Sequence, residues 1–227
     1  MTANQTIRWV LKPAVFLAAL GPMGWIVWAA LTGHFSADPL SDVTKETGGW
    51  ALRFLCITLA VTPIRRLSGW NGAIRFRRML GLYAFFYASL HLLTYVVADR
   101  GASLDVPNGI VAWRTARDLA KAVGADIYKR PFITIGFTAW LCMLPLAATS
   151  TAGMIRRLGG RRWNQLHRLI YASAIAGVVH FWWLVKSDVR QPAAYGVAVG
   201  VLLACRVVWV LRPSRAAAAH ARVLTDR

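Results

Sequence analysis

"FFYASLHLLTYVV", Phe85–Val97, sets one histidine inside an apolar run interrupted otherwise only by Ser89 and Thr94. A helix on a soluble protein shows a polar face every three to four residues. This run shows none. Read as a bilayer-crossing segment, it carries an imidazole to a depth that water does not reach. The fold then follows from how many such runs the chain holds, and the chemistry from what the imidazole does there.

The rest of the chain supports the membrane reading. Only 16% of its residues are charged and its mean hydropathy is +0.45, whereas ordinary soluble domains carry about 25% charged residues. A spanning helix needs about 20 mostly apolar residues. Six segments approach that: Pro13–Leu31, Gly49–Ile64, Met79–Ala98, Pro131–Thr149, Trp163–Val185 and Ala193–Leu211. The pattern predicts an all-α integral membrane protein, a six-transmembrane-helix bundle over residues 1–211 with a short basic tail at 212–227. The second segment is short, and Arg53 near one end can snorkel to the interface. Gly21-Pro22 predicts a kink in the first helix, which membrane bundles tolerate. That first run is longer than a signal-peptide core, so it reads as a retained helix.

The net charge of +18 invites a nucleic-acid reading, which placement excludes. The connections "RRLSGWNGAIRFRR" (Arg65–Arg78) and "RRLGGRR" (Arg156–Arg162) hold nine arginines and no acid. Both are short and abut helix ends, so the positive-inside rule puts them in the cytoplasm. Both termini then also face the cytoplasm. Eight of the nine acids, from Asp38 to Asp188, fall in the opposite connections. The basic residues thus mark topology and contact with anionic lipid. Within the long outer connection, Ile110–Val123 has the spacing of an amphipathic surface helix. Cys56, Cys142 and Cys205 lie in different spans with no CxxC, CxxCH or zinc spacing. They read as small core residues, and covalently attached haem is unsupported.

Of five histidines, His34 and His220 fall outside the spans, while His91, His167 and His180 lie within two of them. A single neutral histidine can simply hydrogen-bond between helices. Three on two helices point to a cofactor, and haem iron takes axial imidazoles from both faces of the porphyrin. On one straight helix, His167 and His180 would stand about 20 Å apart along the axis and about 140° out of alignment. They cannot share an iron. His91 must therefore oppose one of them. His91 lies 13 residues beyond Arg78, His180 18 beyond Arg162, and His167 only five. His180 is the better depth match, about 7 Å off against about 12 Å for His167. His167 then remains near the cytoplasmic face, for a second haem, a quinone or a flavin. Tyr83, Tyr87, Tyr171, Trp163, Trp182 and Trp183 are expected to pack porphyrin surface. Arg77-Arg78 and Arg161-Arg162 are each followed nine residues later by Tyr-Ala-Ser, which suggests two helices rising from the same side.

"RRMLGLYAFFYASLHLLTYV" (Arg77–Val96) and "LAATSTAGMIRRLGGRRWNQLHRLIY" (Leu146–Tyr171) resemble the MsrQ family, formerly YedZ. More widely the chain is similar to ferric-reductase-like transmembrane domains. The resemblance implies a multi-pass protein of the bacterial cell inner membrane. It implies one or two b-type haems (heme b), a flavin mononucleotide (FMN) for which no residues can be assigned, and electrons drawn from membrane quinol. It further implies a periplasmic molybdopterin partner, MsrP, that reduces methionine sulfoxide in oxidised proteins. The chain would then be an electron-transfer subunit, the catalytic sulfoxide reductase being a separate protein. The histidines matching the family's haem set are His91, His167 and His180. An alternative is a membrane haem reductase, ferric or oxygen, fed by a separate cytoplasmic flavoprotein. The chain has no GxGxxG fingerprint, so a self-contained nicotinamide enzyme is not expected. A proton relay is disfavoured because no acid lies centrally in a span.

Overall fold

A computed structural model describes residues 2–96, 113–185 and 187–211. Among them every regular element is helical. A short turn, α1 (Ala3–Thr6), leads through a π-type turn into α2 (Lys12–Thr32). Then follow α3 (Pro39–Ser68), α4 (Arg77–Leu93), α5 (Trp113–Lys129), α6 (Pro131–Ala148), α7 (Ala152–Leu166), α8 (Leu169–Leu184) and α9 (Arg190–Leu211).

Among the described residues, five helical stretches are long and apolar enough to cross a membrane: Asn4–Thr32, Pro39–Ser68, Arg77–Val96, Pro131–Ala148 and Arg190–Leu211. The sixth expected span differs. α8 is apolar throughout but covers only Leu169–Leu184, about 24 Å of helix against a hydrocarbon core of about 30 Å. The missing length of the expected Trp163–Val185 is "WNQLHR", Trp163–Arg168, whose polar residues cannot face lipid and which fold into α7 and a turn instead. The described spans leave large apolar residues on the outside, with Leu31 and Val210 both 83% exposed. A soluble monomer does not sustain such a surface; lipid does. The molecule is a multi-pass membrane protein.

Local signals set the helix ends. Asp38 accepts a hydrogen bond from the Ser41 N–H and Pro39 opens α3, the arrangement that satisfies a free N-terminal donor. α3 stops at Gly69, whose φ of 70° suits glycine. Arg65 and Arg66 in its last turn complement the helix dipole. α3 is thus much longer than Gly49–Ile64. Arg53 lies over the Trp50 ring at 4.6 Å and 3.9 Å from Glu46. The surface helix begins at Trp113 and runs to Lys129; the earlier part of Ile110–Val123, like the tail 212–227, lies outside the described residues. The Tyr95 hydroxyl donates to Asp126 at 2.6 Å and ties α5 down.

α3 packs most heavily on α4, and α6 on α8; α3 also meets α9 and α8. The buried core of Leu55, Leu59, Ala84, Tyr87 and Ala174 lies along these contacts. Tyr83 and Tyr87 do not pack as a porphyrin wall. Their rings stack against Phe54, and their hydroxyls reach the backbone of α2. Tyr83 donates to the Phe16 carbonyl, while Tyr87 donates to Ala19 and accepts from the Met23 N–H. Pro22 sits between those last two groups, where a proline weakens the helix's own ladder. Tyr87 is fully buried, so removing its hydroxyl strands two backbone groups. Tyr87→Phe is expected to cost about 1–3 kcal/mol, read as a lower melting temperature in detergent. Phe86→Tyr, on the more exposed side of the same helix, serves as a control.

Candidate functional site

Two of the three membrane histidines come together. The His91 ring on α4 and the His180 ring on α8 lie with centroids 6.1 Å apart and planes 74° to one another. Each ring is pinned by its Nδ1. That of His91 lies 2.9 Å from the Thr44 carbonyl oxygen of α3, and that of His180 lies 2.7 Å from the Phe132 carbonyl oxygen of α6. A carbonyl only accepts, so Nδ1 carries the proton in both rings. The lone pair of each neutral imidazole is left on Nε2. This is how a metal-binding histidine is commonly oriented, with the far nitrogen held by a backbone carbonyl.

A glycine admits each ring. A Cβ on Gly48 would stand 3.0 Å from His91 Nδ1, and one on Gly136 would stand 2.7 Å from His180 Nδ1. Each glycine lies four residues after the accepting carbonyl, Thr44 before Gly48 and Phe132 before Gly136. The same device therefore occurs twice, once on each closely packed helix pair. The Tyr-Ala-Ser echo does not align the two copies, because Tyr87 lies four residues before His91 and Tyr171 nine before His180. Glycines are common in apolar helices, and nothing in the sequence singles out these two.

The donor set fits a porphyrin iron. With their Nε2 lone pairs free and their rings 6.1 Å apart, His91 and His180 are the residues that would hold the iron between them. Among the described residues no three His, Cys, Asp or Glu side chains converge, so the fit is to two axial ligands rather than to a zinc-type cage. Trp182 and Trp183 point largely outward, 47% and 56% exposed, and do not enclose the pair.

His167 is held apart. It caps α7 with φ −69° and ψ −1°, and Arg168 follows with ψ −19°. The turn then proceeds through Arg168 N–H to Gln165 and Tyr171 N–H to Arg168. The single straight helix assumed over Trp163–Val185 is thus broken between His167 and α8. Upstream, Gly159 at φ 72° divides α7 again, in a conformation that favours glycine. The His167 ring stacks on Trp163 at 3.7 Å, and its Nδ1 lies 3.0 Å from the Trp163 carbonyl. Trp163 is itself anchored by its indole N–H to the Thr149 carbonyl. His167 Nε2 is buried without a hydrogen-bond partner. His167 is also one of the residues lining a largely apolar cavity, with Arg77, Phe85, Met143, Trp163 and Asn164. An orphaned imidazole nitrogen beside an apolar cavity is again a donor that suits a haem iron.

Comparison with known proteins decides the family. A family model described as "ferric reductase like transmembrane component" matches residues 47–178, taking in His91 and His167 and ending just before His180. A protein of Ralstonia nicotianae is 49% identical over 217 residues, covering 95% of this chain and 92% of its own. One from Herminiimonas arsenicoxydans is 46% identical over 202 residues, with 88% and 85% covered. One from Xanthomonas euvesicatoria pv. vesicatoria is 47% identical over 213 residues, with 91% and 90% covered. All three are protein-methionine-sulfoxide reductase heme-binding subunits, MsrQ.

The chain belongs to the MsrQ family.

For an MsrQ chain, the split between a closely opposed histidine pair and a separate third histidine is the chief structural feature. Cys56, Cys142 and Cys205 are free and half-buried on α3, α6 and α9, apart from both histidine sites.

Proposed function

We propose that this chain is the haem-binding, electron-carrying membrane subunit of a methionine sulfoxide reductase system. Electrons drawn from membrane quinol pass to b-type haem and on to a periplasmic molybdopterin reductase of the MsrP type. That partner repairs oxidised proteins at the outer face of the bacterial inner membrane. The observation that supports this reading most is the His91–His180 pair, with both Nδ1 atoms pinned and 6.1 Å between the rings.

His91 and His180 would hold one haem in the outer half, and His167 would hold a second near the inner face. Bound haem supplies one-electron chemistry without proton exchange at the iron. The protein's part is positional. Thr44 and Phe132 carbonyls fix the imidazole tautomers, Gly48 and Gly136 let the rings lie against the helices, and lipid-facing side chains exclude water. From Leu169, the first residue of α8, to His180 is about 17 Å of helix, and His167 precedes it across a turn, which supports reading the two sites as successive steps. α8 would complete six crossings and leave both termini in the cytoplasm. The FMN implied by the resemblance belongs to this proposal without assigned residues.

The test is reduction of the purified, haem-loaded chain in vesicles by a soluble quinol analogue, followed at the haem absorbance. Reduction within seconds, with none by NADPH alone, is expected. Fast reduction by NADPH alone and none by quinol would support a self-contained nicotinamide enzyme, and reduction by NADPH only after a flavoprotein is added would support the flavoprotein-fed reductase. A companion measurement is the haem-to-protein ratio. His167→Ala is expected to lower it by about half, leaving the haem of the outer pair in place.

A further inference from the structure

α9 carries an arginine where lipid and apolar side chains would be expected. Arg206 reaches inward to three acceptors: Nη1 donates to the Tyr171 hydroxyl at 2.5 Å, and Nη2 to the Leu59 carbonyl at 2.9 Å and to Thr62 Oγ1 at 3.4 Å. Its guanidinium lies 5.0 Å from the centre of the Tyr171 ring. Its Nε is buried and unpartnered. Arg77, which lines the cavity at His167, lies near enough to be electrostatically coupled to both Arg206 and Tyr171. Among the described residues neither arginine is paired with a carboxylate; the described acids, Asp38, Asp42, Glu46, Asp118, Asp126 and Asp188, all lie toward the outer end.

Two cations on one phenol, with no acid between them, are costly in a membrane. Hydrogen bonds to a hydroxyl and a carbonyl hold Arg206 in place but do not neutralise it. Arg77 lines the cavity at His167, so the positive charge shared by the two arginines borders a space that also holds this histidine. A redox group seated there becomes more negative by one unit when an electron arrives. Fixed positive charge favours that reduced form.

We propose that Arg206 is a positioning and electrostatic residue for the inner site, which braces Tyr171 and Arg77 and raises the reduction potential of the haem at His167. This rests on the functional reading above. The electron balance is simple: quinol gives up two electrons and two protons to leave quinone, the electrons enter singly, and each lowers the charge of the inner centre by one. The inner site then accepts electrons readily from quinol, ahead of the outer pair.

The experiment is an optical redox titration of the haem-loaded, full chain. His167→Ala and His180→Ala first identify which spectral component belongs to each site. A unit charge on the order of 10 Å from a redox centre, at an effective dielectric near 20, shifts a one-electron equilibrium about tenfold. Arg206→Gln is expected to make reduction of the His167-dependent component about tenfold less favourable (about 59 mV lower), with the His180-dependent component within twofold of its original value. Arg206→Lys keeps the charge and is expected to restore most of the shift. Thr62→Asp places a carboxylate beside Nη2 and is expected to lower the same potential without removing the arginine, so it carries the test if the glutamine variant does not accumulate. An unchanged inner potential in whichever of these two accumulates overturns the proposal, as does an equal shift in both components. A purely structural Arg206 would lower thermal stability and move neither potential. If His167→Ala removes no haem at all, the inner-site reading and this inference fall together; if it removes one and Arg206 does not tune it, only the inference falls.

Discussion

His91→Ala is expected to abolish the outer haem and with it electron delivery to the partner. An axial imidazole has no substitute in this structure: His180 faces His91 across 6.1 Å, and the third histidine is a turn and a helix away. Among the described residues no other His, Cys, Asp or Glu cluster is ready to replace it. His180→Ala should give the same result, because the pair acts as a unit, and the double variant should be no worse than either single one. The measurement is the haem-to-protein ratio with reduced-minus-oxidised spectra. Retention of the full outer-haem signal in either single variant would dismantle the pairing. A signal lost in His91→Ala and His167→Ala but kept in His180→Ala would mean that His91 pairs with His167 instead.

Gly136→Ala should damage the same site without touching a ligand. The added methyl would stand 2.7 Å from His180 Nδ1 and 2.8 Å from Cε1, closer than packed atoms approach. The Phe132 bond is then stretched or lost, and the ring swings off its line to His91. Loss of such an outer partner costs about 10–100-fold in metal-site affinity. Haem should therefore wash out during purification, and excess haem should restore it. Gly48→Ala is the graded comparison. Its methyl would meet His91 Nδ1 at 3.0 Å, a contact the ring can relieve by a small shift, so its loss should be distinctly smaller. Equal haem affinity in Gly136→Ala and the unaltered chain would show that the close approach is not needed.

Much of the architecture was legible in the chain because membrane solvation acts on composition over long windows. A run such as Pro131–Ala148 has one low-cost way to satisfy its backbone in lipid, and that is a helix. What failed was a local boundary. Trp163–Val185 reads as one apolar window because Trp163, Leu166 and the later residues outweigh Arg168. The polar residues between them instead turn the chain at His167, and among the described residues five helices reach spanning length. The aromatic wall also failed for Tyr83 and Tyr87. Their rings could serve a porphyrin or a helix seam equally well on composition, and the proline-weakened backbone of α2 drew their hydroxyls.

By itself, then, the sequence determined the class of fold, the presence of imidazoles inside the bilayer, and the need for His91 to stand opposite a histidine of the other helix. Those follow from the cost of polar groups in hydrocarbon, which depends on what a residue is and how far it lies along a helix. Tertiary structure decided which histidine comes within reach, the tautomer each ring must hold, and which two glycines make room. It also decided that Arg206 meets Tyr171 and Leu59, both far from it in sequence. These depend on which helix faces which, and packing of that kind is set by contacts between residues 40 to 150 positions apart, such as Thr44 with His91 and Leu59 with Arg206.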